Sequence, residues 1–396
     1  MELRMAHVVN TDLVQDLKAH GARQIEACFN CGNCTAVCPL SKGEVAFPRR
    51  IIRYVQTGMK DRLCGSLEPW LCYYCGQCSE TCPRNAKPGE LMMAARRYLI
   101  GAYDWTGIGR RLYLDSRVEL GAVLGLAAIV VVLFVLFAGP MTTELTHEGG
   151  VKLNTFAPAR VIELIDWGIG GLLAVLLLSN VWRMHRWIMR REPGLKVPLE
   201  AYIRGLATLF THFFTQKQWL GCKSEGERLT ATKWFKHFCI FAGYVTMFVL
   251  IVVFLRWFQT DAVHPIWHPQ RWLGYIATGA LLYGVGSALV GRWQKRHESH
   301  KHSHPSDWIF LVLLMLTTVS GILVHLFRIN GLAYATYVTY VVHMAVLVPM
   351  LVVEVPFSKW AHLAYRPVAL YLHQVQQLAR ETQARTANLQ PEPAQS

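Results

Sequence analysis

The chain has 396 residues, 53% of them hydrophobic and only 17% charged, with a formal net charge of +14, which allows two or three domains. The averages conceal a division: residues 1 to about 115 are polar and hold nine of the eleven cysteines, whereas most of the remaining chain is apolar runs long enough to cross a bilayer. A wholly soluble protein is thereby excluded, and so is nucleic acid as the reason for the charge, because Lys and Arg lie between the apolar runs, where positive cytoplasmic loops account for them.

The start, Met1-Glu2-Leu3-Arg4, lacks the apolar run of a secretory signal, so a reducing cytoplasm is expected around the polar head. Asn10-Thr11-Asp12 offers an N-cap, and Leu13, Val14 and Leu17 come next at helical spacing, predicting a helix that leads into Cys28. From there one pattern is written twice. Cys28, Cys31, Cys34 and Cys38-Pro39 are answered by Cys72, Cys75, Cys78 and Cys82-Pro83. This spacing wraps three close thiolates around one cubane and sends the fourth to another, so one 4Fe-4S cluster is expected on Cys28, Cys31, Cys34 and Cys82, and a second on Cys72, Cys75, Cys78 and Cys38. Disulfides would need an oxidising compartment. Paired zinc sites are open to thiolates, but a third Cys at the same spacing and a trailing Cys-Pro, both repeated, suit a cubane better. Cys64 falls outside the pattern and reads as a buried free thiol.

Between the two motifs, Phe47-Pro48-Arg49-Arg50 opens a helix carrying Ile51, Ile52, Tyr54 and Val55. Arg49, Arg50 and Arg53 offer a solvated basic face or a dock for an acidic partner. After Pro83 a further helix runs through Leu91, Met92, Ala95 and Leu99, giving an all-α head packed about two clusters.

Six apolar segments come after the head, at about Val118 to Phe137, Val161 to Trp182, Trp234 to Trp257, Trp272 to Val290, Trp308 to Phe327 and Ala335 to Val355. Each is near the roughly 20 residues a span requires. Arg183, Arg186, Arg190, Arg191 and Lys196 trail the second, and Arg292, Lys295, Arg296 and Lys301 the fourth. These loops are expected in the cytoplasm, with both chain ends on the same side. Gly168-Ile169-Gly170 and Gly284-Val285-Gly286 lie within spans, where helix packing explains them better than phosphate binding. His212 sits in an amphipathic stretch that reads as an interfacial helix, and His297, His300, His302 and His304 sit in a basic loop. The polar stretch from Gln383 to Ser396 is expected to be disordered.

Ionisable side chains at bilayer depth are costly, so histidines there are functional candidates. His237, just inside the third segment, and His362, just beyond the sixth, share the cytoplasmic depth and satisfy the condition for clamping a haem iron from two faces. His343 precedes His362 by 19 residues, about 28 Å along a continuous helix. It therefore serves a second haem nearer the outer face, or hydrogen-bonds a neighbouring helix. Its axial partner is either Met247, at matching depth, or His325, a better ligand type on the fifth segment. Arg256, Asp261 and His264 are quinone-site candidates at the outer end of the third segment, with interfacial anchoring as the plain alternative. Cys222 and Cys239 are isolated and read as structural thiols.

The head resembles the C subunit of heterodisulfide reductase, on the two cysteine motifs, Phe47-Pro48-Arg49-Arg50 and Trp70-Leu71-Cys72. The last five spans resemble the cytochrome b subunit of respiratory nitrate reductase, chiefly on His343 followed by Pro356-Phe357-Ser358-Lys359-Trp360-Ala361-His362, with His237 as the matching histidine on the paired helix. That family's fourth histidine falls at Met247, a departure that bears on the outer haem. The fusion as a whole resembles the membrane C subunits of quinone-interacting oxidoreductase complexes.

The resemblance implies two 4Fe-4S clusters, two b haems, menaquinone as substrate, soluble flavin- and iron-sulfur-bearing partners resembling heterodisulfide reductase A, and electron exchange with adenylylsulfate reductase. The expected organisation is a cytoplasmic dicluster domain over residues 1–115, a dihaem cytochrome b of six spans in the inner membrane over 116–380, and a tail over 381–396. The competing expectations are a membrane anchor that only docks soluble subunits and a membrane subunit of a heterodisulfide-reductase-like complex. A reductase acting by itself is disfavoured, since no Cys-Cys-Gly motif is present.

Overall fold

The structure, a computed structural model, describes residues 9–41, 46–138, 144–222, 228–295 and 297–388. Among these residues the fold is all-α, with a lone antiparallel bridge between Leu145 and Val151. The head contains α1 (Leu13–Ala19), α2 (Arg49–Gln56) and α3 (Pro88–Tyr103). Six long helices come next: α4 (Ser116–Phe137), α5 (Ala159–Arg190), α7 (Lys233–Val252), α8 (Pro269–Trp293), α9 (Pro305–Ile329) and α10 (Ala333–Phe357). Two others are α6 (Leu199–Thr215), between α5 and α7, and α11 (His362–Asn388), after α10.

The chain forms two compact units, one of residues 1–110, 178–222 and 361–396 and one of residues 111–177 and 223–360. This differs from the linear division expected at residue 115. Hydropathy marks where apolar runs begin, but the basic end of α5 and the polar α11 contact residues of the head, and the half-apolar α6 packs on α11. The stretch from Gln383 also departs from expectation, because α11 continues through Asn388; residues 389–396 lie outside the described residues. Glu381, Gln383, Ala384 and Arg385 are good helix formers that prolong a helix already nucleated by packing.

In the first unit, α1 starts where the Asn10 side chain accepts the Asp12 N–H at 3.0 Å, so the capping oxygen comes from two residues upstream of the N-cap position. On α2, Ile51, Ile52 and Val55 are buried while Arg49 and Arg53 stay exposed. Arg50 instead pairs with Glu68, which also lies 3.4 Å from Arg191. Nearly all of α3 is buried, and Ser79 joins it to the second cysteine motif by donating to Glu90 at 2.7 Å and accepting the Gly89 N–H at 2.9 Å. Trp70, Tyr103 and Tyr365 form one buried aromatic group, with centroids 5.1 to 6.3 Å apart, a spacing that adds to their area burial. Gly205 lets α6 approach α11, where an added Cβ would stand 2.9 Å from Val375. The opposite face of α6 exposes Leu199, Ile203, Leu206, Phe210 and Phe214 at helical spacing, which is the amphipathic pattern expected around His212.

In the second unit, α9 packs along α10, α7 along α8, α10 along α4 and α8 along α9. The α7–α8 crossing depends on two glycines. A Cβ at Gly243 would come 2.7 Å from the Ala277 carbonyl, and one at Gly284 would come 2.7 Å from the Lys236 carbonyl. Small residues here let two backbones touch, as membrane helices require where no hydrophobic drive joins them. Gly168 and Gly170 are different: among the described residues nothing lies within 4 Å of a Cβ at either. The third apolar run also breaks earlier than its composition indicates. The Phe254 N–H turns back five residues to the Val249 carbonyl, α7 stops at Val252, and Leu255–Phe258 forms a separate turn whose carbonyls Gln270 caps. Large apolar side chains remain outside, among them Leu124, Val135, Leu164, Leu172, Val175 and Trp272. An apolar surface this extensive, on six helices of spanning length, is that of a multi-pass membrane protein.

Burial alone would raise the Glu68 carboxyl, but Arg191 and Arg50 outweigh it and hold the group below its ordinary value of 4.5. The stability this contributes is complete above that value and is lost as pH falls through the lower, folded one. Glu68→Gln is expected to cost about 3 kcal/mol at neutral pH, by leaving buried guanidinium charge uncompensated. In thermal unfolding of the head, variant and parent should converge on acidification. In the second unit, Gly284→Leu should cost about 2 kcal/mol or more, since it drives a side chain into backbone, while Gly168→Leu should stay within about 0.5 kcal/mol; unfolding in detergent checks both.

Candidate redox site

The two cysteine motifs share a backbone as well as a spacing. Two residues after the first Cys the chain turns left-handed, at Asn30 (φ 59°) and Tyr74 (φ 55°), and two residues later it does so again, at Gly32 (φ 91°) and Gly76 (φ 93°). Each glycine then starts a one-turn helix, Asn33–Ala36 or Gln77–Glu80, that carries the third Cys. Successive turns of this kind direct N–H groups into one concavity, the usual cradle for negative sulfur. Tyr74 has no conformational freedom to favour this region, so its turn costs roughly 1–3 kcal/mol that the surroundings must offset. Its N–H lies 3.4 Å from Cys72 Sγ, and the Ala86 N–H lies 3.4 Å from Cys82 Sγ.

The thiols fall into two groups across the motifs. Cys34 is pushed up to about 11, first by burial and then by the charges of Cys28, Cys82 and Cys31. Cys38 is pushed up to about 11 by burial and then by Cys72 and Cys75. Cys78 is raised by burial and then by Cys72, Cys75 and Cys38, with a smaller contribution from Cys34. Cys82 thus stands with the first motif and Cys38 with the second. Four half-buried thiolates repel one another unless a cation sits among them, so the donor sets fit iron-sulfur clusters and not free thiols. Cys64 is apart, fully buried, with burial pushing its thiol up to about 12.

Different side chains brace the two motifs. Gln56 donates to the carbonyls of Ile25 (3.1 Å) and Cys28 (2.8 Å) while accepting from Asn30 at 2.7 Å. The second motif has a cation in that role. Arg96 donates to the carbonyls of Pro69 (2.6 Å), Trp70 (3.5 Å) and Cys72.

The membrane candidates are placed as follows. His237 lies in the first turns of α7 and Met247 in its second half, and His362 opens α11. His343, on α10, has Ser320 Oγ 2.9 Å from its Nδ1, and a Cβ at Gly321 would stand 3.2 Å from its ring. One ring nitrogen is therefore held by α9, the arrangement that orients an imidazole ligand through the other. His325 is committed elsewhere: its Nε2 lies 2.8 Å from Arg271 Nη1 and 2.8 Å from the Tyr275 hydroxyl. The three quinone candidates are dispersed among separate contacts. Arg256 pairs with Glu163 (2.5 Å), Asp261 accepts the Asn154 N–H (3.2 Å), and His264 stacks on His268 with centroids 3.9 Å apart. In the histidine-rich loop, His300 packs against Gly291, and His304 caps α9. Cys239 is half-buried on α7, and the side chain of Cys222 lies outside the described residues.

Reading the sequence for histidines missed two polar groups. One is the Arg271–Tyr275–His325 set. The other is a pair of fully buried glutamates, Glu119 on α4 and Glu354 on α10. The available signal was an acidic residue inside an apolar run, which marks function as surely as a histidine does.

Comparison with known proteins bears on the head. Residues 24–86 match the 4Fe-4S dicluster domain family. A protein of Archaeoglobus profundus, itself described as like the C subunit of heterodisulfide reductase, is 34% identical over 129 residues, covering 30% of this chain and 64% of the relative. The C subunits of the H(2):CoB-CoM heterodisulfide,ferredoxin reductases of Methanothermobacter thermautotrophicus and Methanothermobacter marburgensis are each 34% identical over 88 residues, covering 22% of this chain and 48% of the relative. The chain thus spans about half to two thirds of the length of the curated relatives it matches. No solved structure matches it significantly. The chain carries a 4Fe-4S dicluster domain similar to that of heterodisulfide reductase C subunits, and its later residues form six apolar helices long enough to cross a membrane.

Proposed function

We propose that this chain is the membrane electron-transfer subunit of a respiratory quinone oxidoreductase complex, exchanging electrons between a membrane quinol, menaquinol by resemblance, and soluble partners. The observation that carries the reading is the crossed grouping of eight thiols in a chain that also has six spanning helices. Cys28, Cys31, Cys34 and Cys82 hold one cluster and Cys72, Cys75, Cys78 and Cys38 the other. His237 and His362 are the axial ligands of one b haem, and His343 is a ligand of a second. With His325 held by Arg271 and Tyr275, Met247 is the better candidate for the remaining position. When bound, these groups supply one-electron carriers, while the protein's part is to hold, space and tune them.

The basic residues that end α5 and α8 support a cytoplasmic side for the head and both termini. For quinol, the Arg271–Tyr275–His325 set is now a better candidate than Arg256, Asp261 and His264, because an imidazole and a phenol in contact can accept and pass a hydroxyl proton. The soluble partners are flavin- and iron-sulfur-bearing subunits of the heterodisulfide reductase A kind, with adenylylsulfate reductase beyond them. A second reading is favoured by the relatives' names: the same chain as the membrane subunit of a heterodisulfide-reductase-like complex. Purification of the native complex with identification of its polypeptides separates the two.

His362→Ala should remove one haem per chain, read from the reduced-minus-oxidised absorbance, and abolish quinol-driven cluster reduction; unchanged haem content would overturn the ligand assignment. Arg96 places a cation against the carbonyl of Cys72, whereas the carbonyl of Cys28 is held by the neutral Gln56. Arg96→Gln should therefore lower the midpoint potential of one cluster only, by on the order of 60 mV, a tenfold change in a one-electron equilibrium. Redox titration followed by electron paramagnetic resonance, at unchanged iron content, checks it.

A further inference from the structure

Glu119 lies one turn into α4 and Glu354 one turn before the end of α10. Both are at 0% exposure. Ser358 donates to Glu119 Oε1 at 2.9 Å, and the Ser306 hydroxyl reaches the same carboxylate. Glu354 Oε2 accepts the Lys359 N–H at 3.0 Å, and the hydroxyl of Ser358 reaches Glu354 as well. The remaining oxygens, Glu119 Oε2 and Glu354 Oε1, are buried without a hydrogen-bond partner.

From α9, Asp307 faces Glu119, and His304 at the start of that helix accepts the Ser306 N–H at Nδ1. Lys359 pairs with Asp307 and stands within electrostatic range of Glu354, whose nearest like charge is Glu119. Glu119 and Glu354 thus face each other as like charges in an interior where an uncompensated charge costs several kcal/mol. Adjacent buried carboxyls relieve that by keeping a proton between them.

Hydrogen-bond counting leads to the same result. A serine hydroxyl has one proton to give. Having given it to Glu119, Ser358 can only accept from Glu354, and an ionised carboxylate has nothing to donate. A hard metal cation fits poorly, since calcium takes six to eight oxygens and just these two carboxylate oxygens are without partners.

We propose that Glu119, Ser358 and Glu354 form a buried proton-binding site, in which the two carboxyls share one proton and the serine hydroxyl passes it between them. In one arrangement Glu354 is protonated and donates to Ser358, which donates to Glu119. In the other, the Glu354 O–H has broken onto Ser358 as the serine's own O–H moved to Glu119, so protons and charge are conserved and no other reactant is needed. One carboxyl stays ionised throughout, which leaves the site room for a second proton. This assignment uses Ser358 and Lys359 from the segment between the two proposed haem histidines, and it does not depend on the quinol reading.

The test is infrared spectroscopy of the full chain in liposomes at neutral pH, in water and in D2O. Parent-minus-variant spectra should show the carbonyl stretch of a protonated carboxylic acid, shifted by D2O. The double variant Glu119→Gln/Glu354→Gln should remove it, while each single glutamine variant and Ser358→Ala should move the band without removing it, because the surviving buried carboxyl keeps a proton in altered hydrogen bonding. The glutamines keep the side-chain shape, and circular dichroism checks helix content. No such band in the parent, a band left unmoved by either single glutamine substitution, or a band suppressed by sodium ions would each overturn the proposal, the last in favour of a metal-ion site.

Discussion

Burial and mutual repulsion of thiols govern the head. Eight of its cysteines stand in two groups of four, in which Cys34 on one side and Cys38 and Cys78 on the other are lifted by burial first and by neighbouring thiolates second, and each group draws one member from the distant motif. Such an arrangement is unfavourable as free thiolates and favourable around iron, so metal binding and folding are one free energy for this small domain. The rest of the head is shaped by holding these loops still. Left-handed turns at Asn30, Gly32, Tyr74 and Gly76 aim backbone N–H groups inward, and Gln56 and Arg96 tie down the carbonyls that would otherwise face the sulfur.

The second unit answers to a different solvent. Its helices expose leucine, valine and tryptophan outward and meet one another through glycines, because in lipid the gain comes from close backbone approach and not from hiding apolar surface. Polar side chains inside such a bundle are costly, and several of those described occur in sets: Arg271 with Tyr275 and His325, Ser320 with His343, and Ser358 with Glu119 and Glu354. Each set satisfies part of its own hydrogen-bonding capacity. The part left unsatisfied, as at the two glutamates, is where chemistry is to be sought.

Local rules made much of this readable in advance. The C-x2-C-x2-C-x3-C-P spacing carries the cluster geometry within itself, and twenty-residue apolar runs announce spans whatever their neighbours do. The same rules gave way where a contact from far along the chain decides. Gly284 and Gly168 look alike in sequence, yet only Gly284 meets another backbone. His343 and His325 look like equivalent ligands, yet an arginine and a tyrosine one turn apart on α8 claim His325.

The sequence by itself determined the cofactor class of the head, the all-α character and the number of apolar helices, since each depends on short-range spacing or composition. Only the tertiary structure decided that residues 178–222 and 361–396 belong with the head, that α7 ends at Val252, and that Glu119 and Glu354 share a serine. Periodicity and hydropathy describe a residue's neighbours along the chain. Which charges and backbones meet across more than a hundred residues is settled by packing, and no local pattern encodes it.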